Sequence, residues 1–148
     1  MLSKINCKLR QTLSSQIVGI YRIALGMIFV MAGTAKLTNA NFENAWALYL
    51  TEIEMPFSKF FFVIIPVFEI IVGVFLLLGY HSRIGAFLVL PIMVVAVYMH
   101  LTVGIPEVFM AKPYVALLPP FVIMMALTIL IYGGGKWSLD LKSLKKDL

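Results

Sequence analysis

Cysteine is almost missing from this chain: Cys7 is the sole one in 148 residues. That excludes an intramolecular disulfide and any Cys-x-x-Cys thiol relay. Charge is scarce as well, at 13% of residues against 61% hydrophobic, roughly half the charged share of an ordinary soluble domain. Histidine is limited to His81 and His100, and no spacing suits a metal, a flavin or an iron–sulfur cluster. The net charge of +5 is not a nucleic-acid footprint. Basic residues collect toward the chain ends, and no basic face interleaved with aromatics occurs.

What the chain has instead is long apolar runs, at about 17–37, 57–78, 84–101 and 113–132. A helix over 57–78 would be about 33 Å long, enough to cross a bilayer. The runs predict an all-α membrane protein, a four-transmembrane-helix bundle forming a single domain over 1–148. The first run is read as a retained helix, because it is long for a signal core and Arg22 interrupts it. Between the first two spans, Phe42, Trp46, Tyr49 and Leu50 recur at helical spacing, with Glu43, Glu52 and Glu54 on the wet side. That pattern predicts a short interfacial helix after the first span.

The runs are not uniformly apolar. Arg22, Gly26, Phe29, Gly33 and Lys36 fall on one face of the first helix, and the glycines there invite close approach of a neighbour. Glu69 sits near the middle of the second span, where a carboxylate costs on the order of 2.5 kcal/mol unless paired, protonated or wet. Pro66 before it and Gly73 after it place the acid beside a freed backbone carbonyl and a small-residue gap. Tyr98 and His100 lie near the far end of the third run, and Arg83 in the turn that opens it.

Charge counting orients the bundle. Lys4, Lys8, Arg10, Arg83, Lys136, Lys142, Lys145 and Lys146 fall on one side of an even-span chain, while the other holds Lys59, Lys112 and the glutamates outside the spans. Both termini are therefore expected in the cytoplasm. Depth then suggests a partner for Glu69. It is nine residues from Leu78 and Arg22 is five from Ile17, about 13 and 7 Å inward. An arginine spans that difference, so Arg22–Glu69 is the expected buried pair, with Lys36 in an outer group with His100 and Glu107. Three roles stay open for Glu69: a structural ion pair, part of a polar pocket for a quinone headgroup, proton or small ligand, or a neutral hydrogen-bonded acid.

These residues resemble a known family. Arg22-Ile-Ala-Leu-Gly26 with Gly33-Thr-Ala-Lys36-Leu37 is similar to the first helix of DoxX-type membrane proteins. So are Pro66-x-x-Glu69-x-x-x-Gly73, Gly79-x-x-x-Arg83, His100, and Gly133-x-Gly135-x-x-Ser138-Leu139-Asp140. The resemblance implies an integral protein of the bacterial inner-membrane kind. Relatives include small subunits of a thiosulfate:quinone oxidoreductase and a membrane component of oxidative-stress defence. More distant relatives are cargo receptors and assembly factors. The implied function is a membrane subunit of a redox or oxidative-stress-linked complex, docking a quinone and working with protein partners, without an intrinsic cofactor or catalysis of its own. Two alternatives stand beside it: a non-enzymatic scaffold or assembly factor, and a small proton or anion transporter.

Overall fold

The computed structural model describes residues 14–102 and 112–146, and its elements are all helical among those residues. They are α1 (Gln16–Thr38), α2 (Ala40–Glu52), α3 (Ser58–Leu78), α4 (Ser82–Thr102), α5 (Lys112–Tyr132) and α6 (Leu139–Lys146). Three of them, α1, α3 and α4, are long and apolar enough to cross a membrane. A shorter apolar helix, Leu117–Tyr132, makes up the described body of α5. Cys7, Lys4, Lys8, Arg10 and Glu107 lie outside the described residues.

Local chemistry sets the ends of these helices. Asn39 closes α1 by donating its backbone N–H to Ala35 and opens α2 by accepting from Asn41 N–H at 3.0 Å. Asparagine suits both tasks, since its short side chain replaces a missing helical partner. α3 ends at Gly79, which has a left-handed φ of 67°. Tyr80 N–H there bonds back to Phe75 C=O at 3.2 Å, the six-to-one bond of a glycine-terminated helix. The C-terminal lysines Lys142, Lys145 and Lys146 belong to α6. Ser138 starts it by accepting from Leu141 N–H at 3.1 Å.

Packing between α1 and α3 is the frame of the molecule. The helices run antiparallel, with Gly26 against Gly73 and Gly33 against Pro66. A Cβ at Gly73 would lie 2.8 Å from Val30 Cγ2 and 2.9 Å from Gly26 O; one at Gly33 would lie 2.6 Å from Pro66 O. Small residues at these contacts let the backbones meet, as they do in membrane helix pairs. Gly73→Ala is therefore expected to force the helices apart and destabilise by about 1–3 kcal/mol. Gly85→Ala, whose added methyl meets only the Leu76 side chain at 3.1 Å, is the comparison. Unfolding midpoints in mixed detergent that shift equally for both would contradict the close-packed seam.

The main core gathers Leu25, Phe29, Val72, Leu76, Val89 and Ile129. A second cluster, Trp46, Tyr49, Leu50 and Met99, lies under α2. Outward faces carry large apolar side chains such as Met31, Phe87 and Leu101, a surface suited to acyl chains rather than water.

α2 owes its seat to a proline. Pro66 has no N–H to give to the carbonyl of Phe62 one turn earlier, and the Trp46 indole N–H donates to that carbonyl at 3.1 Å. The sequence predicts a freed carbonyl in this turn; the structure gives it to the helix lying across.

Candidate functional site

Two polar centres occupy opposite ends of the α1–α3 seam. At the first, the end of α3 and the start of α1 meet the segment 133–140. Arg22 is fully buried, and its guanidinium donates to backbone carbonyls. Its Nη1 donates to Leu76 C=O and to Leu77 C=O at 2.7 Å, and its Nε donates to Gly134 C=O at 2.8 Å. Carbonyls in the last turn of a helix lack intrahelical partners and carry the negative end of the helix dipole. Arg22 is thus a C-terminal cap for α3, supplied by a different helix.

Asp140 completes this junction and pulls electrostatically on Arg22. Its carboxylate accepts from His81 N–H at 2.8 Å, and from Ser82 N–H and Ser82 Oγ at 2.9 Å each. A carboxylate at the start of α4 satisfies the unpaired N–H groups there. Lys136 N–H donates to Ser15 C=O and Asp140 N–H to Gly79 C=O. The start of α1, the α3–α4 turn and the segment 133–140 therefore share one end of the bundle.

The second centre lies toward the other end. Lys36 Nζ donates to both oxygens of Glu69 at 2.6 Å, and the acid's side chain is only 4% exposed. The same ammonium lies 5.1 Å from the centre of the Trp46 ring, a cation–π distance. Beside this pair is a cavity of about 460 Å³, a volume in the range of small-molecule sites. Bounded by the described residues, it is partly open, with Phe42, Val95 and Leu118 both lining it and exposed. Its walls are otherwise mostly apolar, including Phe29, Met99 and Pro119, with Tyr49 and His100 as further polar residues. Burial pushes the Tyr49 phenol up to about 12, so that side chain stays neutral at ordinary pH. The His100 ring is 6.0 Å from that of Tyr49, and its buried Nδ1 has no hydrogen-bond partner among the described residues.

The expected Arg22–Glu69 pair does not form; Glu69 pairs with Lys36. Side-chain direction explains the difference. Every Cα–Cβ bond in a helix tilts toward the helix N-terminus. In an antiparallel pair, Lys36 near the end of α1 therefore leans back toward mid-helix, while Glu69 on α3 leans toward Ser58 and so toward Lys36. Arg22 leans toward Gln16 as Lys36 does, and from its place on α1 that carries it away from Glu69 and onto the last turn of α3. Depth counted along the axis treats side chains as perpendicular and misses this.

The other sequence candidates divide between the two ends. His100 does share the cavity with Lys36. Tyr98, on the same helix, is exposed and is not among the cavity's lining residues. Arg83 donates from Nη2 to Ile131 C=O at 3.0 Å, bracing α4 against α5 at the Arg22 end. The sequence places Trp46 and Tyr49 only on one face of a short interfacial helix, yet both line the cavity. Their three-residue spacing, which puts them on one helix face with Leu50, is the signal that could have placed them there.

Among known families, the model described as DoxX matches residues 17–102, more than half of the chain. The match spans Arg22, Lys36, Glu69 and His100 and stops before the 133–140 segment. No curated protein matches the chain, and no solved structure does.

Proposed function

The chain belongs to the DoxX family of membrane proteins, and from that premise we propose that it is a ligand-binding membrane subunit. In this reading α5 completes a four-span bundle with both termini cytoplasmic, and the cavity beside Lys36 and Glu69 takes a quinone-class molecule from the bilayer. The protein serves a redox or oxidative-stress-linked complex through protein partners, and any electron transfer uses the diffusible ligand or a partner's cofactor. The carrying observation is the cavity: roughly one small molecule in volume, apolar over most of its wall, with an ion pair, an indole and an imidazole on it. Apolar lining with a few fixed polar groups is the usual make-up of a small-molecule site. The Arg22 guanidinium, by contrast, is fully buried and engaged by backbone carbonyls.

The reading is tested with the protein in lipid nanodiscs, in a Trp137→Phe background that leaves Trp46 as the reporter. A short-chain benzoquinone is expected to quench Trp46 saturably, and a bulky substitution at the cavity wall, Ala32→Phe, should weaken that quench at least tenfold. Quenching that rises linearly without saturation, unchanged by Ala32→Phe, would sink the quinone site. Such a result would leave the scaffold role as the better account, to be judged by whether partners still co-purify.

A further inference from the structure

Counting donors and acceptors at the cavity indicates which form of a ligand it suits. Lysine carries three N–H donors and no acceptor. Two of those on Lys36 go to Glu69, and the ammonium also lies over the Trp46 face. Its capacity to donate further is nearly used up. A carboxylate, by contrast, has about four lone-pair sites. Lys36 takes one on each oxygen, and no other donor to Glu69 occurs among the described residues. Glu69 therefore keeps accepting capacity on a side chain that borders the cavity.

His100 adds a second polar atom that can accept when its proton sits on Nε2. Its buried Nδ1 is unpartnered among the described residues, and neutral imidazole offers an acceptor at one ring nitrogen. A buried polar atom left unpaired costs about 1–3 kcal/mol, so a ligand that satisfies it gains accordingly. Both groups left with capacity can accept, whereas the strongest donor is already engaged.

We infer that the cavity selects a ligand bearing hydroxyl donors, a hydroquinone or related phenol, over the corresponding ketone or ether. One ring hydroxyl donates to the Glu69 carboxylate and a second to His100 Nδ1, while the ring and its tail lie against Phe29, Met99 and Pro119. Lys36, bonded to both carboxylate oxygens, fixes the orientation of the acid while that contact is made. Discrimination of this sort is steep where a site's polar atoms go unpaired with the wrong analogue. The inference rests on the cavity being a ligand site, as proposed above.

The test is calorimetric titration of the protein in nanodiscs, under anaerobic conditions, with empty nanodiscs subtracted. Three probes share one short alkyl chain: a benzoquinone, its hydroquinone and the dimethyl ether of that hydroquinone. The hydroquinone is expected to bind at least tenfold tighter than either of the others, and His100→Phe should narrow that gap several-fold. Equal affinities for all three, or a quinone that binds tighter, overturn the donor preference while leaving the cavity's role intact. Absence of binding by every probe removes the ligand site itself. Because the probe series needs only the unaltered protein, it decides the matter even if the His100→Phe variant is unstable.

Discussion

Arg22→Ala is expected to be among the most damaging single substitutions in the chain, lowering stability by about 3–5 kcal/mol. The side chain is fully buried. Its removal leaves the carbonyls of Leu76, Leu77 and Gly134 without their charged donor and takes the guanidinium's charge away from Asp140. The bonds to Leu76 and Gly134 are buried, so water does not simply replace the lost donor. Arg22→Lys should recover only part of the loss, because an ammonium does not reproduce the guanidinium fork that reaches two helices at once. Unfolding midpoints in detergent mixtures measure both. A shift for Arg22→Ala no larger than that of a lipid-facing control such as Met31→Ala would mean the junction carries little of the fold.

The second large effect concerns the pair at the cavity. Lys36→Met leaves a nearly buried carboxylate alone, and Glu69→Met leaves an ammonium against apolar walls; each is expected to cost about 3 kcal/mol. The double variant should be less harmful than the sum of the two, since an ion pair replaced whole by apolar side chains loses little. A coupling of about 1–3 kcal/mol is expected between them. The combination Arg22→Ala with Glu69→Met, by contrast, should add within about 0.5 kcal/mol, as distant sites do. Additivity in the Lys36–Glu69 cycle, or coupling in the other, would reverse the pairing.

The helical runs and the short helix after the first of them were legible because apolar length and helical spacing are local properties. α1, α3 and α4 fall within about two residues of their expected limits. The glycines at 26, 33 and 73 were legible too, since a small residue on a charged stripe has few uses besides close approach. The partner of Glu69 was not legible, because depth counted along the axis favours Arg22, and only the tilt of side chains in an antiparallel pair brings Lys36 to the acid. Asp140 was hidden for another reason. Its role as a cap for α4 depends on a contact 58 residues away in sequence, and nothing local to Ser138-Leu139-Asp140 points to Ser82. The bond from Trp46 to Phe62 was half visible: Pro66 announces a freed carbonyl, but not which donor takes it.

Synthesis runs from the N-terminus, and the seal around Arg22 is assembled from distant parts of the chain. Gly134 is 112 residues beyond Arg22, so a ribosome adding about 5–20 residues per second delivers it roughly 6–22 s later. Until then the first hydrophobic segment holds a cation that the nascent protein has only half accommodated. Insertion machinery or a chaperone that shelters the segment during those seconds would matter more here than for a purely apolar anchor. Slowing translation late in the message should lengthen that exposure and favour degradation of the unfinished product.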